Sequence, residues 1–234
     1  MEHVLYFEEL DSTQTYLSHH ANQLPHGTIV CANRQTSGRG RYGRTWISAP
    51  GGLYFSVLLK PVKTDFLPNL TQLMALSVCR ALEDFNLPAV LKWPNDVQVN
   101  GQKICGILSE ALFNAAHNGT LILGVGINVS QEGLENIDQP ATSLKELGVT
   151  TDKTALLAGV FRYFWEEYDA LLARGFEVLR PEYIRHFAAL GKPISVRNGT
   201  QTILGIAEDV SSRGTLMLRT EKRLEEIYIG DVIV

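Results

Sequence analysis

The sequence predicts an α+β fold in two units, a larger one over 1–190 and a small C-terminal β-barrel over 191–234. Three observations predict it. Runs rich in β-branched and aromatic residues, bounded by Gly and Pro, recur through the first half and read as strands. Apolar residues at helical spacing mark longer segments between and after them. Past Gly191 the pattern changes to short strands joined by tight turns.

The elements follow in order. The start, Met1 to Glu9 (MEHVLYFEE), lacks the basic-then-apolar layout of a signal peptide and reads as a strand. Asp11, Ser12, Thr13 and Gln14 supply capping residues for a short helix beginning near Ser12. Thr28 to Asn33 and Leu53 to Lys60 are the next strands, with a Gly/Arg-rich stretch from Gln35 to Trp46 between them. Leu70, Leu73, Met74, Val78, Ala81, Leu82 and Phe85 recur at helical spacing, with Asn69 as the cap. Val90 to Trp93 is a strand. Val97 to Val99 and Lys103 to Cys105 flank Asn100-Gly101, a pair that tolerates the positive φ angles of a type I′ turn, so they form a hairpin. Leu121 to Val129 is another strand. Asp152 to Ala173 is a long helix, capped by Thr151 or Asp152 and stopped at Gly175. A second helix starts near Phe176 or Pro181 and ends at Leu190, before Gly191. Ile194 to Val196, Thr202 to Ala207, Thr215 to Arg219 and Glu226 to Ile229 make up the small barrel.

Composition narrows the classes. With 45% hydrophobic and 20% charged residues, the chain reads as a soluble globular protein. No apolar run reaches the length of a membrane span, so no membrane partner is expected. Three scattered cysteines, Cys31, Cys79 and Cys105, argue against a disulfide framework and for a cytoplasmic location. The six histidines (His3, His19, His20, His26, His117, His186) show no metal-ligand spacing. The net charge of −4 disfavours a general nucleic-acid binder. Its distribution is uneven. No Asp or Glu lies between Asp11 and Asp65, where Arg34, Arg39, Arg41, Arg44, Lys60 and Lys63 all fall, leaving the acidic excess to the rest of the chain. Such a local positive field suits a small anionic ligand better than a long DNA backbone. A solvated basic face is the bland alternative.

Gly38 to Arg44 (GRGRYGR) contains G-x-G-x-x-G, the dinucleotide fingerprint, in the wrong context. That fingerprint opens a helix and needs an acidic residue downstream for the ribose. Here a Trp, a turn and another strand follow. What remains is a loop whose glycines allow close backbone approach and whose arginines offer planar forks for phosphate or carboxylate oxygens. The second segment is Lys92-Trp93-Pro94-Asn95-Asp96, to which the Asn100-Gly101 hairpin returns Lys103. A lysine beside an amide and a carboxylate can bridge substrate oxygens, while the carboxylate helps hold Mg²⁺. Taken singly, Lys103 also reads as an exposed strand lysine and Asn95-Asp96 as a turn. The third segment, Gly124-Val125-Gly126-Ile127-Asn128, puts two glycines in an apolar strand, which signals close approach by a ligand or by backbone.

In order along the chain, Asp11 to Gln14, Gln35 to Arg41, Lys92 to Asp96, Lys103 to Gly106, Gly124 to Asn128 and Ala141 to Leu144 resemble the motifs of biotin protein ligases. The resemblance spans nearly the whole chain. One departure is Gln14, where many members carry Asn. The resemblance implies a mixed, largely antiparallel sheet flanked by helices, like that of class II aminoacyl-tRNA synthetases, with an SH3-like C-terminal barrel. It implies two half-reactions: biotin and ATP give biotinyl-5′-AMP and pyrophosphate, and a carrier lysine then takes the biotin. ATP, Mg²⁺ and a biotin carboxyl carrier protein, of acetyl-CoA carboxylase or similar, are the implied cofactors and partner.

Residue roles follow from the same resemblance. Ser12, Thr13, Gln35, Gly38 and the backbone of Arg39 are expected at the biotin ureido ring. Gly106, Ile107, Gly124 and Gly126 are expected along its ring and tail pocket. Arg41 and Lys103 are expected at the carboxylate and α-phosphate, with Lys103, Arg41 and Asp96 as the catalytic set. Arg44 and Arg39 go to the outer phosphates, and Asn95 and Asn128 to the nucleotide. Trp46 either stacks on adenine or fills the core. Asp96 either assists Mg²⁺ or orients the incoming lysine. Members without a DNA-binding module are commonly homodimers. Regulatory members carry an N-terminal winged helix, whereas this chain starts at the first catalytic strand, so no DNA partner is expected. The rival readings are a lipoate ligase or octanoyl transferase, a non-catalytic biotin-binding module and an RNA binder; the last fails on the acidic remainder and on the lack of a basic patch interleaved with aromatics.

Overall fold

The computed structural model describes residues 3–62, 66–113, 119–137 and 139–233. Met1, Glu2, Lys63, Asp65 and His117, which enter the reading above, lie outside them. In chain order the elements are β1 (Val4–Leu10), α1 (Thr13–His20), β2 (Ile29–Gln35), β3 (Leu53–Val62), α2 (Leu67–Glu83), β4 (Ala89–Lys92), β5 (Asp96–Val99), β6 (Gln102–Phe113), β7 (Gly119–Ile127), α3 (Lys153–Arg174), α4 (Arg180–His186), β8 (Pro193–Asn198), β9 (Gln201–Val210), β10 (Leu216–Arg219), β11 (Leu224–Ile227) and β12 (Asp231–Ile233).

Seven strands form one sheet in the order β1-β2-β3-β7-β6-β5-β4. Only β1 and β2 run parallel; every other neighbouring pair is antiparallel. Central strands are covered on both faces, so β3 reads as a continuous apolar run rather than an alternation. Phe55, Val57 and Leu59 face the larger core with α2 and α3. Leu58 faces a smaller layer with Leu17 of α1, Val30 and Ile122. This two-sided burial fixes the register, because a one-residue slip would exchange the faces.

Punctuation in the sequence works as its physics requires. Asn100 and Gly101 take φ of 52° and 78°, closing the β5–β6 hairpin. Asp152 caps α3 by accepting from the backbone N–H groups of Thr154 and Ala155, and Gly175 ends that helix at φ 77°. Four expectations need correction. Ser12 stands at the N-cap of α1 but makes no side-chain cap bond. Asn69 does not cap α2; it lies inside the first turn, buried, and donates to the carbonyl of Arg213 at 2.9 Å. The helix expected to reach Leu190 stops at His186, because Phe187 turns extended and bridges Leu91. The C-terminal strands number five rather than four, in the antiparallel order β11-β10-β9-β8-β12, with no pairing of the outer two among the described residues. That sheet is docked on α2: Gln72 donates to Gly214 O at 2.7 Å and the Trp93 indole to the same oxygen at 3.2 Å. Among the described residues, no helix is long and apolar enough to cross a membrane.

Candidate ligand site

The site forms where β5, β6 and β7 lie side by side. Register sets Asp96 opposite Gly106, and Gly106 opposite Gly126, so a carboxylate and two bare backbone positions share one lateral row. Leu108 and Gly124 form the next pair. Over this floor folds the 38–46 loop, which is a small closed hairpin. Arg39 and Thr45 form an antiparallel bridge, Gly40 N–H donates to Arg44 O at 2.7 Å, and Trp46 N–H donates to Gly38 O at 3.0 Å. Tyr42 and Gly43 take φ of 55° and 74° at its tip.

A narrow cleft of about 100 Å³ lies between loop and floor. It is lined by Ser12, Thr13, Gln35, Arg39, Arg41, Arg44, Trp46, Asn95, Asp96, Lys103, Gly106, Ile107, Gly124 and Gly126, together with Gln14 and Asp231. A broader cavity of about 850 Å³ adjoins it, sharing Arg44, Trp46, Asn95, Asp96, Lys103 and Asp231, and adding Lys92, Asn128 and Arg197. The arginine loop and the hairpin lysine therefore converge on one cleft. Asn128 reaches only the broader cavity. Gly38 lines neither: a Cβ there would lie 2.5 Å from Trp46 O and 2.6 Å from Ser48 Oγ. Its bareness serves the packing of the loop base.

Lys103 is held firmly. Its N–H donates to Pro140 O at 2.9 Å, and its carbonyl accepts from Thr142 N–H at 3.0 Å and from Asn128 Nδ2 at 3.3 Å. The Ala141-Thr142-Ser143-Leu144 segment is thus a strap: Leu144 N–H also donates to Asn128 O. The Lys103 ammonium lies 2.8 Å from Asp96 Oδ1, both side chains being 14% exposed. That oxygen has no hydrogen-bond partner, so the contact is an ion pair by distance without hydrogen-bond alignment. The ammonium also stands 5.3 Å from the centre of a Trp46 ring, within cation–π range.

Arg41 is 18% exposed, and both its Nη groups are engaged. Its Nη1 donates to Asn95 Oδ1 at 2.8 Å and Asp231 Oδ1 at 3.1 Å; its Nη2 donates to the Tyr42 hydroxyl at 3.0 Å and Gly230 O at 3.3 Å. Arg39 pairs with Glu110 at 2.9 Å and lines only the narrow cleft, whereas Arg44 faces both spaces. Gln35 Oε1 accepts from Thr13 N–H and Oγ1, and its Nε2 donates to Ser48 Oγ. Asn128 spends its amide on the carbonyls of Lys103 and Thr142 and accepts from Gln131 at 2.5 Å. Trp46 lies across the glycine pair; a Cβ on Gly106 or Gly126 would strike its ring. Its indole N–H is buried without a partner. Close approach by a side chain thus accounts for both glycines, and for Gly124, which Gln14 covers.

Sequence reasoning missed Gln14 and Asp231 as cleft residues. Gln14 was signalled by its place beside Ser12 and Thr13 and is 3% exposed, donating to Leu108 O at 3.1 Å. Asp231, distant in sequence and inside a short strand, carries no local signal. Cys105 beneath the site is fully buried; burial, then the neighbouring Asp96 charge, push its thiol up, consistent with a packing role. Among the described residues, no group of three or more His, Cys, Asp or Glu is placed to hold a metal.

Residues 6–128 match the model of the biotin/lipoate A/B protein ligase family, and residues 189–234 match that of the biotin protein ligase C-terminal domain. The chain is 32% identical to the bifunctional ligase/repressor BirA of Bacillus subtilis, over 99% of this chain and 74% of that protein. It is 32% identical to the biotin–[acetyl-CoA-carboxylase] ligase of Mycobacterium tuberculosis, over 88% and 79%. A solved biotin protein ligase of Aquifex aeolicus, in complex with biotin and ATP, superposes with a TM-score of 0.89 at 34% identity, covering 100% of this chain and 98% of that one.

Proposed function

The chain belongs to the biotin/lipoate A/B protein ligase family, and from that membership and the geometry of the cleft we propose that it activates biotin with ATP and transfers it to a carrier-protein lysine. In the first step a biotin carboxylate oxygen bonds to the α-phosphorus of ATP and the bond to the β-phosphate oxygen breaks, giving biotinyl-5′-AMP and pyrophosphate. In the second, the lysine amine bonds to the acyl carbon and AMP leaves. A free carboxylate resists amine attack, so activation must come first. The protein's part is to position and to neutralise charge.

One observation carries the reading. Arg41 and Lys103, from separate elements, line the same narrow cleft as Ser12, Thr13 and Gln35. In this reading the buried hydroxyls of Ser12 and Thr13, with the free N–H of Gln35, meet the ureido ring, and the β6–β7 glycines with Ile107 flank the ring and tail. Arg41 and Lys103 meet the carboxylate and α-phosphate at the junction with the broader cavity, which takes the nucleotide. Arg44, facing both spaces, takes the outer phosphates. Arg39, tied to Glu110, stays with biotin. Asn95 meets the nucleotide, and Trp46 walls both spaces. Asn128 works indirectly, through Lys103.

Asp96 fits a Mg²⁺ that draws its other ligands from phosphates and water, the usual way this ion is bound by few carboxylates. It would supply neutralisation of phosphate charge. The acceptor is a biotin carboxyl carrier protein, a reading supported by the acetyl-CoA-carboxylase in the name of the Mycobacterium tuberculosis relative. Residues 1–190 are taken as the catalytic unit and 191–234 as the C-terminal unit, a division supported by two sheets that share no strand. Three unpaired, buried cysteines support a cytoplasmic setting. The net charge of −4 supports the absence of DNA as a partner. A homodimer is the assembly the family resemblance implies, to be checked by sedimentation.

The deciding assay supplies purified protein with biotin, Mg²⁺ and ATP labelled at the α-phosphate. A labelled adenylate that requires biotin, and that lipoate does not replace, is the expected result. Biotin binding without adenylate would leave only a sensing module.

A further inference from the structure

Asp231 belongs to the C-terminal sheet, yet its carboxylate spans two arginines of the catalytic loop. Oδ1 lies 3.1 Å from Arg41 Nη1 and Oδ2 lies 2.9 Å from Arg44 Nη2. Arg197 stands directly opposite Asp231 in the β8–β12 register, yet among the described residues the two form no ion pair. The position of Asp231 is set by its own sheet, not by the loop. Val232, next in sequence, is 1% exposed and pairs with Val196 in the C-terminal core. Gly230, just before, leaves no room for a Cβ against Val196, and its carbonyl also accepts from Arg41.

The two arginines depend on this carboxylate unequally. Arg41 keeps Asn95, Tyr42 and Gly230 as partners. Arg44 is 62% exposed, and Asp231 is its one side-chain partner among the described residues. Only Nη2 of Arg44 is used, so the rest of its guanidinium fork stays free to face an anion. Without Asp231, a long exposed side chain would have to be ordered by the ligand itself, at the expense of affinity.

We infer that Asp231 is a positioning residue that presents Arg44 to the outer phosphates of the nucleotide, so that the C-terminal sheet completes the ATP site. The inference rests on the ligase reading and adds to it a residue that acts through another. Asp231→Asn, Asp231→Glu, Arg44→Ala and the Asp231→Asn/Arg44→Ala double variant are compared with wild type. Affinities for ATP and for biotin are measured separately by titration calorimetry, and KM for ATP and kcat by pyrophosphate release. Asp231→Asn weakens ATP about tenfold, the scale of one charge-assisted contact, with biotin affinity and kcat little changed. Asp231→Glu recovers most of the loss, and the double variant is no worse than Arg44→Ala.

Unchanged or tighter ATP binding in Asp231→Asn overturns the inference, the tighter case making the carboxylate a competitor of phosphate. Losses that multiply in the double variant, or a parallel loss of biotin affinity, overturn it as well. A wild-type protein that binds ATP and biotin but forms no adenylate sinks the ligase reading, while the ATP titrations still decide the role of Asp231.

Discussion

Asn128, at the end of β7, donates its side-chain amide to the carbonyl oxygen of Lys103 at 3.3 Å, and its own carbonyl is tied to Leu144. The lysine proposed to neutralise charge is thus indexed to a neighbouring strand. Asn128→Ala is expected to lower kcat for adenylate formation by about 10–100-fold, the usual effect of a reacting group misplaced by an ångström or less. KM for ATP should hardly move. A dominant rise in KM instead would make Asn128 a direct nucleotide contact.

Lys103→Ala removes the ammonium that pairs with Asp96 at the cleft. The expected fall in pyrophosphate release is about 10²–10³-fold, as when one donor to developing charge is lost. Biotin binding should persist, because the contacts proposed for the ureido ring lie elsewhere. A wild-type release rate would take Lys103 out of the mechanism.

Arg41 closes the cleft with contacts to Asn95, Asp231 and the Gly230 carbonyl. Arg41→Gly opens that wall and withdraws the charge proposed to meet the α-phosphate. The adenylate is expected to escape and acylate lysines of an unrelated protein added to the reaction, read by streptavidin blot. Labelling no greater than with wild type would argue that other contacts retain the intermediate.

Gly126→Ala places a methyl group against the Trp46 ring. The ring must then shift from the floor, so both biotin affinity and adenylation should fall. Trp46→Leu in the same chain should restore part of the affinity, since the smaller side chain frees the position. No rescue would mean that the glycine is needed by the ligand rather than by the indole.

Much of this arrangement was legible in the sequence, for local reasons. Asn100-Gly101 dictates a hairpin, Asp152 and Gly175 bracket a helix, and both signals act within a few residues of themselves. The cleft residues of the loop and hairpin were likewise found from the arginines, the glycines and the returning lysine. What escaped was settled by distant partners. Asn69 resembles a cap, yet its amide is taken by Arg213 from the C-terminal sheet. The helix before Gly191 ends early because Phe187 finds Leu91. Asp231 could not be singled out, because nothing near it in sequence shows that two arginines of another unit converge there.

Burial pushes the Cys31 thiol up to about 12, and burial, before any charge effect, raises Cys79 and Cys105 as well. Thiolate is the reactive form, so the folded protein at pH 8 should resist iodoacetamide. All three cysteines should alkylate once denaturant is added. Rapid modification of one in the native state, seen as a single mass shift, would place that thiol at an opening.

The turn that ends at Gly214 rests on Asn69, Gln72 and the Trp93 indole, and a Cβ at Gly214 would run into both amides. Chimaeras that graft a relative's C-terminal module onto this body would therefore need matching parts on both sides of the seam. A donor with a bulkier residue at that turn, or a recipient lacking the two amides, would leave hydrogen-bonding groups stranded and so weaken the seam.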